Sequence, residues 1–190
     1  APGEEPYPEL MNRGAVHEMV AADLDAVVVK GDLTADGTCE QYERFLEVYG
    51  GAFGERMFHV RGNHESYNHL AVGPSQPYSV SLEGVTLAVI DTSLDGRATG
   101  GIPADTLTWL GDLAADTSGP ILVMGHHHCW DPGGDEDPDG YFGIDPGDST
   151  RFVELVARHP NIRGYFAGHT HRNRVRRFSG TGDAPPVHYL

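Results

Sequence analysis

The sequence predicts an α/β fold built on a mixed sheet or a pair of sheets, and three observations predict it. Short apolar runs alternate with segments whose apolar residues recur at helical spacing. Two of the runs are separated only by Glu83 and Gly84, which signals a hairpin. No repeat, linker or break in composition divides the 190 residues, so 1–190 reads as a single domain.

The elements follow in order. Asn12 to Leu24 has helical spacing and leads into Ala26 to Val29, a buried strand. Glu40 to Phe53 is an amphipathic helix expected to close on Gly50 and Gly51. RMFHVRGNHE supplies another short strand, and YSVSLEGVTLAVIDTSL gives the two strands of the hairpin. PADTLTWLGDLAAD is helical with Asp105 as its cap, and GPILVMGHHH is again a buried strand. STRFVELVARHPNIRG is a helix capped by Ser149 or Thr150, and GYFAGHTH is the next strand. NRVRRFSGTGDAPPVHYL adds two short strands.

Composition narrows the class. Apolar content of 39% and charged content of 22% are those of an ordinary soluble globular protein. No stretch approaches the roughly 18 apolar residues of a membrane span. The start, APGEEPYPEL, lacks a signal-peptide layout. A cytoplasmic location is favoured, with the compartment left open because an upstream segment would carry any export signal. A net charge of -15 argues against nucleic acid as a partner, because phosphate backbones are held by basic patches. Cys39 and Cys129 form no CxxC pattern and indicate neither a disulfide nor a compartment. Asp131 to Asp148 is an acidic, Gly- and Pro-rich loop, and the segment from Cys129 to Asp148 is expected to shape the entrance to the site. Asp135, Asp137, Asp139 and Gly140 fit the first positions of a calcium loop, but Pro146 stands where its closing glutamate belongs.

The chemistry lies at the strand ends. VVVKGD stops at Asp32; FHVRGNHE at Asn63, His64 and Glu65; ILVMGHHH at His126, His127 and His128; YFAGHTH at His169 and His171. Ligands gather beyond the carboxyl ends of strands in α/β sheets, and the glycines let the chain turn sharply there. Taken singly, Asp32 reads as a turn residue or helix cap and GNHE as a turn. Alternation along a strand would put His169 and His171 on one face. Four metal-competent strand ends together read as a metal centre.

GD, GNHE, GHHH and GHTH, in this order and spacing, resemble the motifs of the calcineurin-like metallophosphoesterases over essentially the whole chain. VVVKGDLTADG followed by RGNHE looks most like the bacterial cyclic-nucleotide phosphodiesterase branch. The resemblance implies a four-layered α/β sandwich with two mixed β-sheets flanked by helices. It also implies hydrolysis of a small phosphate ester, mono- or diester, at two divalent metal ions. Two adjacent dications bind phosphate oxygens, stabilise developing charge and acidify a bridging water. Metal-bound hydroxide would then attack phosphorus in line, so no serine or cysteine nucleophile is needed. The mixed nitrogen and oxygen ligands suit Mn, Fe, Zn or Ni without choosing among them.

Carried over by motif, Asn63, His126 and His169 join Asp32 on one ion, and His171 shares Asp32 on the other. His64 steadies the transition state or protonates the leaving oxygen, and Glu65 orients His64 or caps its loop. His126 is chosen over His127 and His128 because it directly follows the glycine. His17, His59, His69, His159 and His188 fit no motif and read as structural or surface residues. Arg172, Arg174, Arg176 and Arg177 either face the site or lie on a solvated edge strand.

One element of the pattern is missing: no Asp-x-His occurs in the sequence. The expectation is therefore a fragment incomplete at both ends, with one nearly complete ion site, half of a second, and weak activity alone. The rival reading is a catalytically silent scaffold of the same fold, against which the Asn63-His64 pair argues.

Overall fold

The computed structural model describes residues 7–130, 141–178 and 187–189, where the apolar runs become strands of two sheets flanked by helices. In the smaller sheet, β1 (Val27–Lys30) and β2 (Met57–Val60) run parallel, with Lys30 opposite Val60. The larger sheet orders β3 (Tyr78–Leu82), β4 (Val85–Val89), β5 (Ile121–Met124), β6 (Ile162–Phe166), β8 (Val187–Tyr189) and β7 (Arg176–Phe178). The hairpin β3–β4 is antiparallel about Glu83 and Gly84, as its sequence requires, while β4, β5 and β6 are parallel. Met124 pairs with Phe166, so β5 and β6 finish level with one another. Level, parallel carboxyl ends bring their following loops together.

The core lies between the larger sheet and helices α5 (Ala104–Asp116) and α6 (Pro146–Arg158). Leu107, Leu110 and Ala114 of α5 meet Phe152, Leu155 and Val156 of α6 over Ala88, Ile121, Val123 and Tyr165. Each fully buried Leu, Ile or Phe contributes about 1.5–3 kcal/mol. Tyr165 and Phe152 pack edge-to-face with centroids 5.2 Å apart. No helix among the described residues is long and apolar enough to cross a membrane.

Several boundaries differ from expectation. Helix α1 is Tyr7–Ala21, beginning five residues before Asn12, and Glu9 holds its first turns through Arg13 and Arg44. The Glu40–Phe53 helix begins at Cys39 on a Thr38 cap (α2, Cys39–Phe45), continues as a π turn (Leu46–Gly50) and ends with α3 (Gly51–Phe53). Gly50 and Gly51 thus lie inside the helical run, and Gly54, at φ 55°, terminates it. Helix α5 is preceded by Pro103, with Asp105 in its first turn. Helix α6 starts at Pro146 because Asp145 caps it, accepting from Gly147 N and Asp148 N. Ser149 is therefore not the cap: it is buried, donating to Ile144 O and accepting from Trp130 N. The calcium-loop residues Asp135, Asp137, Asp139 and Gly140 lie outside the described residues.

Candidate metal centre

Lys30 ends β1 and the chain turns at once through Gly31 (φ 83°) and Asp32 (φ 51°). A Cβ at Gly31 would come within 2.7 Å of Gly62 Cα, and one at Gly62 would strike the backbone nitrogen of Asp32. The two loops of the smaller sheet approach this closely only because both positions are glycine. Beyond Gly62, GNHE does not form a simple turn but starts a short helix, α4 (Asn63–Tyr67). Glu65, fully buried, accepts from Gly62 N, Thr34 N and Thr34 Oγ1 at 2.7, 2.8 and 2.6 Å. It caps its own helix and ties it to the loop after Asp32, in keeping with the loop-capping role expected of it.

Four polar atoms converge where these loops meet those of β5 and β6. His126 Nε2 lies 2.9 Å from Asn63 Oδ1, 3.2 Å from His169 Nδ1 and 3.2 Å from Asp32 Oδ1. The outward nitrogens fix the rings. His126 Nδ1 donates to Lys30 O at 2.6 Å, and His169 Nε2 donates to Phe142 O at 3.1 Å. With both protons committed to carbonyls, the lone pairs of His126 Nε2 and His169 Nδ1 face inward beside two oxygens. Four acceptors facing one another could hold a cation, and the mix of imidazole, amide and carboxylate would suit a first-row divalent ion. Burial keeps both imidazoles uncharged, holding His126 below its ordinary range and His169 down at about 4.

The GHTH segment corrects the sequence reading. Strand β6 ends at Phe166, so His169 and His171 do not share a strand face; both sit in a loop with left-handed backbone, φ 69° and 51°. The bend turns His169 toward His126 and leaves His171 exposed, at a cavity that Asp32 also borders. There His171 lines a cavity of about 470 Å³ with Asp32, His64, Glu9, Asn12 and Arg44. Of the six residues singled out, then, Asp32, Asn63, His126 and His169 come together. His64 and His171 flank that cluster without joining it. His64 is 45% exposed, its Nδ1 hydrogen-bonds Ala35 O at 2.6 Å, and its Nε2 lies 4.0 Å from Asp32 Oδ2.

His127 adds a nitrogen that sequence reasoning set aside: His126, His127 and His169 offer ligand atoms all within 4.8 Å of one another. It is fully buried, its ring is edge-on to His126, and burial pushes its pKa down to about 2. The supporting groups Lys30, Arg61, Asp91, Thr92 and Tyr165 carry no motif. Only the placement of Asp91-Thr92-Ser93 straight after an apolar run could have pointed to them. Among the remaining histidines, His59 is a partly buried partner of Tyr42, and His69 pairs with Asp95 on the surface. His17 is exposed and His159 follows the last turn of α6, while the side chain of His188 lies outside the description. Arg172 and Arg174 are exposed on the coil before β7; the side chains of Arg176 and Arg177 are likewise outside the description.

A model of the family described as calcineurin-like phosphoesterase matches residues 7–173. A probable cyclic nucleotide phosphodiesterase of Synechococcus is 26% identical over 159 residues, covering 78% of this chain and 58% of that protein. A glycerophosphodiester phosphodiesterase of Enterobacter lignolyticus is 29% identical over 163 residues, 77% of this chain and 56% of its own length. The chain thus spans little more than half the length of the curated relatives it matches. A dimetal phosphatase from Danio rerio superposes with a TM-score of 0.67 at 16% identity, covering 96% of this chain and 77% of that one. At that identity the superposition speaks for the fold.

Proposed function

The chain belongs to the calcineurin-like phosphoesterase family, and we propose that it hydrolyses a small phosphate ester with two divalent metal ions. The observation that carries this reading is the ring of acceptors: Asp32 Oδ1, Asn63 Oδ1, His126 Nε2 and His169 Nδ1, with the histidine protons directed outward. These four residues would hold one ion, and Asp32 with His171 would serve the second across the cavity they line. When bound, such ions supply positive charge to the phosphoryl oxygens and make water a stronger acid.

The rest is the work of the chain itself. The Ala35 carbonyl holds the Nδ1 proton of His64, which turns Nε2 toward Asp32 and the open side of the site. With a second proton on Nε2, the ring would give that proton to the leaving oxygen and return to the neutral form, keeping its Nδ1 proton on the Ala35 carbonyl. Buried Glu65 keeps the start of α4, and so Asn63 and His64, fixed against the Asp32 loop. A second space of about 360 Å³ opens beside Asn63 and His64, lined by Asp36, Tyr67 and Asn68, and suits the leaving group. The two relatives named above are a probable cyclic nucleotide phosphodiesterase and a glycerophosphodiester phosphodiesterase by name, which favours a diester over a monoester.

Hydrolysis of bis(p-nitrophenyl) phosphate during titration of the metal-free chain with Mn²⁺ tests the proposal. Turnover that rises with metal and vanishes in Asp32→Asn is expected. A chain that neither binds Mn²⁺ nor cleaves the diester would overturn it.

A further inference from the structure

We propose that Asp91, Thr92 and Ser93, following β4, form a clamp that sets the separation of the two ligand-bearing loops, so that Asp91 and Thr92 are positioning residues for the metal site. The inference rests on the metal-site reading given above. Thr92 is fully buried, and its Oγ1 accepts the backbone N–H groups of His126 and His127 at 3.3 and 3.1 Å. The same oxygen lies 2.9 Å from His127 Nδ1. One hydroxyl therefore holds both residues that open the loop after β5. Tyr165, from β6, secures the next group by donating to His127 O at 2.6 Å, and its ring fills the space a side chain at Gly125 would need.

The neighbouring residues reach the other way. Asp91 Oδ2 accepts from Arg61 Nε and Nη2 at 2.9 and 2.6 Å, and Asp91 Oδ1 accepts from Ser93 N at 2.8 Å. Ser93 Oγ donates to Arg61 O at 3.2 Å. Arg61 directly precedes Gly62 and Asn63, so both its side chain and its carbonyl are gripped beside a candidate ligand. The ion pair is largely withdrawn from water, with Asp91 only 7% exposed, which strengthens a two-nitrogen contact.

These three consecutive residues thus hold one loop from each sheet. The contact between Asn63 and His126 spans the gap between the sheets, which share no strand pairing among the described residues. Nothing in strand register can set that distance. The clamp sets it on one flank. On the other, Lys30 does so by donating from Nζ to Ala167 O while its carbonyl accepts from His126. Groups that orient metal ligands from behind matter to affinity although they never touch the ion.

Cobalt(II) titration followed by visible absorption, with thermal unfolding measured in parallel, tests the clamp. Thr92→Val should weaken cobalt binding by on the order of 10- to 100-fold and alter the ligand-field bands, and Thr92→Ser should restore both. Arg61→Lys, which keeps the charge but loses the two-nitrogen grip, should act in the same direction; it decides the matter if Thr92→Val does not fold. Leu110→Ala, in the core away from the site, should lower the melting temperature and leave cobalt binding unchanged. If Thr92→Val and Arg61→Lys behave like Leu110→Ala, the clamp is refuted while a cobalt-binding wild type keeps the metal reading intact. A wild type that binds no cobalt overturns both.

Discussion

His126 Nε2 stands 2.9 Å from Asn63 Oδ1, although the two residues are 63 positions apart and follow strands of different sheets. With the Nδ1 proton of His126 committed to Lys30 O, the contact sets a lone pair against an amide oxygen, an arrangement that a shared cation relieves.

The two proposed ion sites should differ widely in affinity. One gathers four ligand atoms; the other has only Asp32 and His171 from among the residues assigned here. Calorimetric titration with Mn²⁺ is expected to resolve one tight site, and a second that is weak or fills only with substrate present. Metal at 100 times the tight dissociation constant should stabilise the fold by about 2.7 kcal/mol, removable with a chelator. Two equal sites, or a melting temperature indifferent to both metal and chelator, would contradict this assignment.

His64→Asn should leave metal content unchanged and slow the reaction in proportion to how poor the leaving group is. The side chain is partly exposed and its Nε2 is 4.0 Å from Asp32 Oδ2, so its loss disturbs no ligand directly. General acids contribute roughly 10²- to 10⁴-fold. The deficit in kcat should be large for an alkyl diester and small for a p-nitrophenyl one. Equal deficits for both substrates would remove His64 from the role of acid.

Glu65→Ala should destabilise the fold by about 3 kcal/mol, because three buried donors lose a charged acceptor together. Glu65→Gln, which keeps the shape, should cost less. Urea unfolding reads both; a change within error of wild type for Glu65→Ala would show that the cap is dispensable.

Acid should weaken the fold partly through His59. Burial holds its imidazole below the ordinary value of 6.5, with the Glu65 charge opposing, and its Nε2 is 2.9 Å from Tyr42 Oη. Below pH 6.5 the unfolded chain takes up a proton that the folded chain resists, so this stability is complete above that value and declines as pH falls. In His59→Gln the urea midpoint should fall less steeply with acidification than in wild type. An identical slope would assign the acid sensitivity elsewhere.

What was legible in the sequence was whatever a short local pattern encodes. The apolar runs of β1, β4 and β5 and the Glu83-Gly84 turn announced themselves, as did the glycine-led strand ends. Asp32, Asn63, His126 and His169, each named from such a strand end, lie together. Less legible were features decided by tertiary contact. Asp145 displaced Ser149 as the cap of α6 because Ser149 was needed inside, bridging Ile144 and Trp130. Gly50 and Gly51 continue a helix whose flank packs on Met57 and α1, so glycine there did not end it. Thr92 reads as one more polar residue until the loop it holds is seen beside it.

Asp32, His169 and His171 each adopt a backbone conformation that costs most L-residues about 1–2 kcal/mol, with φ between 51° and 69°. Asp, Asn and His tolerate it best, and branched side chains least. Each corner therefore filters substitutions twice, first by conformation and then by chemistry. Asp32→Asn passes the first filter and fails the second; His171→Val fails both. Random variation at these corners will mostly break the loop before it can try a new ligand, so changes in metal preference are open mainly to positions such as Asn63, where the backbone is helical and the side chain alone decides.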